Sequence, residues 1–316
     1  MGRRQRFQKG VAQEEPSAER PLRDRSPYLE PSRSGTPYPP IDETVTEKMK
    51  TIIPTNGAVL RDCTASMVIY KNPREVIRKT AVGFLATECS VQLTIVDNSP
   101  TPDLRSAFDG LRVSYHFYGE NAGYGRAHNW AIFHAEPSKY HLVLNPDIII
   151  PPGTVRSLIQ FMESHPDVGM VCPRILNEDG TDQYLNKRYP SVIDFFIRRF
   201  VPHILAPLFK RRLDCYEMRD VGYDQMYDVE VMTGAFMFCR THVLKASAGF
   251  DPRYFLYLED FDLSRKFQQN GFRTVYCPNA SVIHYWTRDS HKNIRTTLIF
   301  MVSMYRYFSK WGWKWL

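Results

Sequence analysis

Short apolar runs alternate with amphipathic segments along most of the chain from residue 65 onward. The apolar runs have the length and the content of β-branched and aromatic residues that are typical of strands. They comprise residues 65–70, 91–96, 112–118, 140–145 and 168–172. Helical patterns separate them, at 73–87, at 102–108, from a glycine turn to about 135, and at 153–164. This alternation predicts an α/β fold with a Rossmann-like, mostly parallel central sheet and helices on both faces.

The second half of the chain has a less regular pattern. Residues 174–228 contain one apolar helix-like stretch, at 191–200. The predicted elements after it are a strand at 229–240, a helix from about 241, a helix within 255–271, strands at 272–278 and 280–285, and a helix at 293–316. Gly271 is the residue type that commonly follows the end of a helix, and it marks the end of the 255–271 element.

The first 60 residues have the composition of a tail. Residues 16–40 hold seven of the 22 prolines, mixed with Ser, Arg and Glu and with few large aliphatic residues. Such a segment buries too little apolar surface to offset the entropy lost on ordering it. The sequence therefore predicts a disordered, basic and proline-rich tail (1–60), a folded α/β domain (61–290) and a C-terminal helical segment (291–316).

Charge and cysteine usage narrow the class of protein only slightly. The 41 Lys and Arg residues exceed the 34 Asp and Glu residues, so the chain carries a net charge of +7 and suits an anionic partner. The six cysteines form no C-x-x-C pair, which favours free thiols in a reducing compartment over disulfides or a zinc site. No apolar stretch approaches the roughly 18–20 residues of a membrane span, and no signal segment is evident, so we expect a cytoplasmic protein.

Two aspartates come directly after predicted strands, at the sheet edge where ligands of such folds bind. Asp97 could accept hydrogen bonds from a nucleotide base or ribose there, although an Asx turn is the alternative. Asn145-Pro146-Asp147 ends the strongest predicted strand. Asp147 is a plausible ligand for Mg²⁺ or Mn²⁺, but one carboxylate needs a substrate diphosphate to complete the ion's coordination.

Residues 120–129 place two glycines at the start of a predicted helix. Such glycines let the backbone approach a ligand, and a helix N-terminus favours a phosphate group. A turn without a ligand is the common alternative for so short a glycine pattern. The polar residues Asn121, Arg126 and Asn129 around Gly123 favour a binding role.

Three carboxylates, Glu259, Asp260 and Asp262, lie at a helix start after an apolar approach. Acidic residues in a first helical turn stabilise the helix dipole, which is the structural alternative. A semi-apolar setting is also where a general base with a raised pKa is made. Residues two apart do not share a helix face, so we expect Asp260 and Asp262 to do different jobs. His284, near the end of the last predicted strand, becomes interesting only if the fold brings it near Asp147.

Taken in order, these motifs resemble those of the inverting glycosyltransferase family 2, which has the GT-A fold. The resemblance covers about residues 64–285. It rests on ASMVIY, IVDNS, NAGYGRAHN, LNPD, TGAFMFCR, EDFDLSRK and the late His284. Within that family, the IHYWTRDSHKN stretch and the aromatic-basic C-terminus are most similar to bacterial rhamnosyltransferases that build O-antigen, capsule or cell-wall polysaccharides.

The resemblance implies a role for each matching position. It implies Asp260 as the catalytic base, with Glu259 and Asp262 orienting it or binding the acceptor, and Asp147 with His284 at a site for Mg²⁺ or Mn²⁺ and the diphosphate. The implied nucleotide and donor contacts are Tyr70, Asp97, Asn121, Gly123, Arg126, Asn129 and Asn145. The chain departs from the family at Asn-Pro-Asp, which lacks one acid of the D-x-D motif, and at Tyr285-Trp286, where many relatives have glycines.

The resemblance also implies the reaction. We expect transfer of a sugar, with rhamnose from dTDP-rhamnose favoured, to a hydroxyl of a growing and lipid-linked bacterial surface glycan. A galactosyl, glucosyl or N-acetylglucosaminyl transferase and a non-catalytic nucleotide-sugar-binding relative remain alternatives. A nucleotidyltransferase fits poorly, because Tyr70-Lys71-Asn72-Pro73 stands where such enzymes carry a glycine-rich phosphate loop. No basic-aromatic module for nucleic acid is evident in the core, so we expect no nucleic-acid partner.

The C-terminal segment has two interpretations. Trp311, Trp313 and Trp315 alternate with basic residues, a mixture typical of interfacial membrane segments, here on the inner face of the cell membrane. The basic residues are Arg306, Lys310 and Lys314. A helix packed on the catalytic domain is the alternative.

Overall fold

The computed structural model describes residues 60–285 and 294–316. The predicted tail therefore lies outside the described residues except for Leu60. Residues 286–293, which contain Trp286 and most of the IHYWTRDSHKN stretch, lie outside them as well.

The first half of the described chain forms four neighbouring parallel strands. They are β1 (Arg61–Ile69), β2 (Val91–Asp97), β3 (Val113–Phe117) and β4 (Ser138–Leu144). The connections contain α1 (Arg74–Leu85), a 3-10 helix (Pro102–Phe108) and α2 (Tyr124–His134). Strand β1 is buried continuously from Cys63 to Ile69, as expected for a parallel strand that is covered on both faces.

The second half adds shorter strands and most of the helices. In chain order these are β5 (Ile148–Ile149), α3 (Thr154–Ser164), β6 (Val168–Leu176), α4 (Val192–Phe200), a 3-10 helix (His203–Phe209), α5 (Lys210–Tyr216), β7 (Tyr227–Asp228), β8 (Phe236–Arg240), α6 (Thr241–Ala246), α7 (Glu259–Gln269), β9 (Arg273–His284) and α8 (Ile294–Trp311).

All strands of the described residues belong to one sheet, whose order is β3-β2-β1-β4-β8-β6-β9-β5, with β7 paired to β9. Strand β8 runs antiparallel to both β4 and β6, and the short β5 and β7 run antiparallel to β9. The remaining strands point in one direction, so the predicted mostly parallel α/β sheet is confirmed. Their carboxyl ends meet at one edge, which carries Asp97 and Asp147.

Two strand predictions need correction. Residues 229–235 are not part of a long strand: only Phe236–Arg240 pairs in β8, and Val231 makes an isolated bridge to Lys187. The two strands predicted at 272–278 and 280–285 are one strand, β9. Its register against β6 shifts between Cys277 and Ser281, where Pro278 has no N–H group to donate to the ladder.

Apolar side chains cover both faces of the sheet. Phe84 of α1 and Leu158 of α3 belong to the core on one face. Ile132 of α2, Leu244 of α6 and Phe267 of α7 belong to the core on the other face. The helices therefore hold the strand ends in fixed positions, which is a condition for a preorganised site.

The C-terminal helix α8 packs on the domain. Tyr307 and Phe308 are buried in a cluster with Phe195 of α4 and Phe261 of α7. Beyond the end of α8, the carbonyl of Lys314 accepts a hydrogen bond from the backbone N–H of Val192, at the start of α4. The packing interpretation of this segment is therefore the one observed. None of the helices in the described ranges is long and apolar enough to cross a membrane.

A series of buried side-chain hydrogen bonds anchors α2 to the sheet. Thr64 Oγ1 lies 2.8 Å from His141 Nδ1, and His141 Nε2 lies 3.0 Å from Ser66 Oγ. Ser66 Oγ in turn lies 2.7 Å from Nδ1 of His128, which belongs to α2. Both histidines are fully buried. Burial lowers the pKa of His141 from 6.5 to about 3 and places the pKa of His128 well below its ordinary value.

These two buried histidines should make the stability of the fold sensitive to acid. Because the unfolded chain binds the histidine protons at higher pH than the folded chain, the free energy of unfolding should fall as pH drops from 6.5 toward 3. The expected slope is up to about 1.4 kcal/mol per pH unit for each histidine. Urea unfolding across this range should show a shallower slope for His141→Gln. The exposed His134→Gln should keep the wild-type slope, and equal slopes for all three proteins would contradict the assignment.

Candidate active site

Asp147 and His284 meet at the sheet edge because β5 pairs with β9. Ile148 is the register partner of His284, and the N–H of Tyr285 donates to the carbonyl of Asp147 at 2.9 Å. The Nε2 atom of His284 lies 3.2 Å from Oδ1 of Asp147. This Oδ1 atom is buried and makes no hydrogen bond within the described residues. The structure thus brings together the two predicted metal ligands.

Gln183 determines which ring nitrogen of His284 carries the proton. Its Nε2 donates to the carbonyl of His284 at 2.8 Å, which orients the amide. Its Oε1 therefore faces His284 Nδ1 at 2.9 Å, and since this oxygen only accepts, Nδ1 is the donor. In the neutral ring Nε2 is then the nitrogen free to bind a cation, and it lies 3.2 Å from Oδ1 of Asp147.

This arrangement fits part of a site for a divalent cation. A carboxylate and a neutral imidazole are both suitable ligands, and the Gln183 contact is the kind of outer hydrogen bond that orients a ligating histidine. The described part of the chain contains no group of three or more His, Cys, Asp or Glu side chains that could hold a metal. Further ligands would have to come from a bound molecule, for which phosphate oxygens are the usual donors to Mg²⁺.

Asp260 lies at the start of α7, after a strained turn. Tyr257 and Leu258 have φ values of 71° and 67°, a left-handed conformation that non-glycine residues seldom adopt. The Oδ2 atom of Asp260 accepts a hydrogen bond from Gly234 N–H at 2.9 Å, and Oδ1 accepts one from Phe261 N–H at 3.0 Å. Burial raises the pKa of this carboxyl above its ordinary value. The half-buried side chain lines a cleft, so it is placed to accept a proton.

The two other predicted acids at this helix start behave differently. Glu259 is 5% exposed, and its Oε2 has no hydrogen-bond partner among the described residues. Burial, together with the nearby charge of Asp260, raises its pKa well above the ordinary value. Asp262 is 0% exposed and binds Lys310 Nζ at 2.6 Å and Trp311 Nε1 at 2.8 Å. Asp262 is not among the residues that line the cleft, and its carboxylate instead anchors α8. Its role in orienting the base or binding the acceptor stays a prediction, which this position does not favour.

Tyr124, which follows Gly123, joins the two acidic centres. Its hydroxyl donates to the carbonyl of Gly234 at 2.6 Å and lies 3.3 Å from Oδ1 of Asn145. Burial raises the pKa of Tyr124 well above its ordinary value, with further contributions from the charges of Glu259, Asp260 and Asp147. The sequence contained Tyr124 within a recognised motif, but no pattern distinguished its hydroxyl as a link to Gly234.

The backbone of Phe255 passes so close to position 123 that only glycine fits there. It has a φ of 87°, and a Cβ atom there would lie 2.6 Å from the carbonyl oxygen of Phe255. Asn98 Nδ2 donates to the carbonyl of Gly123, and Asn121 Oδ1 accepts from its N–H. The loops after β2 and before α2 are thereby joined at the carboxyl edge. Asn121 and Arg126 are exposed there, and so is Tyr70, at the end of β1.

Two predicted donor contacts have their polar groups engaged inside the protein. Asp97 is 0% exposed, and its carboxylate accepts hydrogen bonds from Ser99 N–H at 2.8 Å and from the Tyr115 hydroxyl. The Asn129 amide binds both backbone groups of Phe250, at 2.7 and 2.8 Å. Both residues order the loops that frame the site, and the structure does not bring Asn129 to the sheet edge with the other donor residues.

Comparisons with known proteins show the family of the chain. The chain matches the model described as "Glycosyltransferase like family 2" over residues 75–298. It is 29% identical over 242 residues to N-acetylglucosaminyl-diphospho-decaprenol L-rhamnosyltransferase of Mycobacterium tuberculosis, covering 69% of this chain and 74% of that protein. It is 22% identical over 231 residues to rhamnosyltransferase WbbL of Escherichia coli K12, covering 71% and 84%.

Solved structures show the fold. GalNAc-T7, crystallised with UDP, GalNAc and Mn²⁺, superposes with a TM-score of 0.53 at 13% identity, over 72% of this chain and 43% of that one. The mannosyltransferase PcManGT from Pyrobaculum calidifontis, in complex with GDP-Man and Mn²⁺, gives 0.50 at 14% identity, over 79% and 64%. The chain thus spans less than two thirds of the length of either structure. It has the GT-A fold, is similar to bacterial rhamnosyltransferases, and belongs to glycosyltransferase family 2.

Proposed function

We propose that this glycosyltransferase moves L-rhamnose from dTDP-rhamnose to a hydroxyl of a lipid-linked diphospho-sugar, with inversion at the anomeric carbon. The observation that carries the proposal is the Asp260 carboxylate, which two backbone N–H groups hold at the edge of a cleft. The names of the bacterial relatives support rhamnose as the sugar and, for one of them, a polyprenyl-diphosphate acceptor.

Asp260 acts on the acceptor. Its raised pKa makes the carboxylate a stronger base than an ordinary aspartate. It takes the proton of the acceptor hydroxyl while that oxygen forms a bond to the anomeric carbon. The bond between this carbon and the diphosphate oxygen breaks, and its electron pair leaves with the nucleoside diphosphate. Attack from the face opposite the leaving group inverts the configuration.

Asp147 and His284 act on the donor side. They would hold Mg²⁺ or Mn²⁺ together with the donor diphosphate. A cation bound there supplies positive charge that stabilises the departing diphosphate. Tyr70, Asn121, Gly123, Arg126 and Asn145 complete the proposed donor site at the same edge. Asp97 and Asn129 support that site through the loops they order.

The donor sugar distinguishes this proposal from its alternatives. Purified enzyme with Mn²⁺ and a diphospho-GlcNAc lipid should transfer rhamnose from dTDP-rhamnose. Transfer from UDP-galactose, UDP-glucose or UDP-GlcNAc in its place would favour another sugar transferase of the same fold. Binding of nucleotide sugars without transfer or hydrolysis of any of them would favour a non-catalytic relative.

Loss of the base should separate catalysis from binding. Asp260→Asn keeps the size of the side chain but removes its capacity to take a proton, so kcat should fall by about 10²–10⁴-fold. Titration calorimetry with dTDP and Mn²⁺ should show affinity close to wild type. The exposed Asp109→Asn is the matched control and should retain full activity. A parallel loss of nucleotide affinity in Asp260→Asn would contradict the assignment.

Gln183 should determine metal affinity through His284. Gln183→Met removes the acceptor that holds Nδ1–H, so Mn²⁺ affinity in the presence of dTDP should fall by about 10–100-fold. Paramagnetic resonance of free Mn²⁺ measures this affinity independently of turnover. Gln183→Glu retains an acceptor oxygen and should recover most of the affinity. If Gln183→Met binds Mn²⁺ as wild type does, Gln183 does not position the ligand.

A further inference from the structure

Asp260 lines a cleft of about 310 Å³, and we call the part of the protein around this cleft the acceptor side. Helices α4 and α8 form much of its wall, through Phe195 and Phe300, whose ring centroids are 5.4 Å apart. Three basic residues line the same cleft: Lys187, Arg198 and Arg199. The carboxylates of Glu259 and Asp260 line it too, so basic side chains outnumber acidic ones by three to two, which favours an anionic group on the molecule that enters.

The positive charge of this cleft is only partly compensated. Arg198 forms an ion pair with Glu217 at 2.6 Å, and both side chains are partly exposed. Arg199 bonds to the hydroxyl of Thr297 and forms no ion pair with any carboxylate in the described ranges. Lys187 donates to the carbonyl of Leu185 at 3.3 Å. Burial and the charge of Arg198 lower its pKa to about 7, so a bound anion would favour its charged form.

The same two helices also expose apolar side chains. On α4, Phe196 lies three residues before Arg199 and Phe200 directly after it, and they are 56% and 47% exposed. On α8 the exposed apolar residues recur at helical spacing and form one stripe that points away from the core. They are Ile294, Leu298, Met301, Val302 and Tyr305. We call these seven residues the α4–α8 apolar surface.

Asp260 and the basic residues line one cleft, which adjoins helix α8. Lys187, Arg198 and Asp260 are all in its lining, and the charges of Asp260 and Arg198 both act on the Lys187 amine. Arg199 contacts α8 at Thr297, next to Leu298 of the apolar surface. A polyprenyl-diphosphate sugar has the same order of groups: a sugar hydroxyl, a diphosphate and a hydrocarbon chain.

We propose that Arg199 and Arg198, with Lys187, bind the diphosphate of the lipid-linked acceptor, and that its hydrocarbon chain lies on the α4–α8 apolar surface. This inference rests on the proposed function. Guanidinium groups bind phosphate oxygens in a bidentate manner, which gives direction as well as charge. Bound in this way, the acceptor presents its sugar toward Asp260, while the donor diphosphate lies on the other side, at Asp147 and His284.

Direct binding tests the site without requiring turnover. The probe is a short-chain alkyl diphosphate, titrated into wild type, Arg199→Gln, and Arg156→Gln as the control. Arg156 is a half-exposed surface arginine on α3 that pairs with Glu88, so the control removes the same charge away from the cleft. Loss of charge-assisted hydrogen bonds should weaken probe binding by about 10–100-fold in Arg199→Gln and hardly at all in Arg156→Gln. Equal affinities in Arg199→Gln and wild type would overturn the proposal.

Transfer assays then distinguish this site from the proposed function as a whole. Each protein is assayed with alkyl-diphospho-GlcNAc and with the alkyl glycoside of GlcNAc that lacks the diphosphate. Arg199→Gln should raise KM only for the first acceptor and leave the KM of dTDP-rhamnose unchanged. Equal KM increases for both acceptors would overturn diphosphate binding while leaving the rhamnosyltransferase proposal intact. Absence of transfer by wild type, with the probe bound as expected, would refute the function and retain the anion site.

Two further variants control for folding and for the apolar surface. Arg199→Lys keeps the charge but not the bidentate geometry, so its probe affinity should lie between those of Arg199→Gln and wild type. Lengthening the alkyl chain of the probe should increase its affinity for wild type, and Phe200→Ser should reduce that gain.

Vesicles of anionic phospholipid test whether the site is specific for the acceptor. If wild type binds the vesicles as tightly as it binds the probe, and Arg199→Gln loses this binding, the site accepts phospholipid headgroups in general. That result would overturn the acceptor assignment.

Discussion

The buried carboxylate of Asp262 determines where the C-terminal helix lies. A charge with no solvent access is strongly destabilising unless it is paired and hydrogen-bonded. Lys310 and Trp311 provide these partners, and Lys310 also binds Asp251 at 3.1 Å. Because both partners lie in the last turn of α8, this helix must pack against α7. The wall that α8 forms beside Asp260 depends on this contact.

The candidate active site consists of two halves that are distant in sequence. One half is the carboxyl edge of the parallel strands, which carries Asp147 close to His284. The other is the start of α7, which carries Asp260. Tyr124 and Gly234 join them through one hydrogen bond, and Gly234 also donates to Asp260. A connection of this kind would hold the proposed base at a fixed distance from the proposed diphosphate site, which is where preorganisation contributes to rate.

Much of the fold could be predicted from the chain's own pattern. Parallel strands buried on both faces produce continuous apolar runs, and β1, β2 and β4 were recognisable for that reason. The segment at 229–235 was predicted wrongly because its apolar residues are buried without sheet pairing: Met232 N–H bonds to Ser264 Oγ, a side chain of α7. Apolar content reports burial, and it cannot separate a strand from irregular chain buried to the same extent.

The candidate site was predictable to the extent that its residues follow strands or begin helices. Asp147, Asp260 and Gly123 were identified by such local signals. For Asp262, helical spacing predicts only that it faces away from Asp260, and the contact with Lys310 on that side could not be predicted from it. Gln183 and the basic cleft residues carried no local signal, and no pattern distinguished the Tyr124 hydroxyl within its motif, since these roles arise from contacts with partners far along the chain.

The sequence by itself determined the alternation of strands and helices, the sheet edge and the acids that lie there. Only the tertiary structure decided which nitrogen of His284 faces Asp147, what Asp262 binds, and that three basic residues line the cleft of Asp260. The physical reason is that periodicity reports the burial of each element separately. Hydrogen bonds and ion pairs depend instead on which elements pack together, and therefore on distances that exist only after the chain has folded.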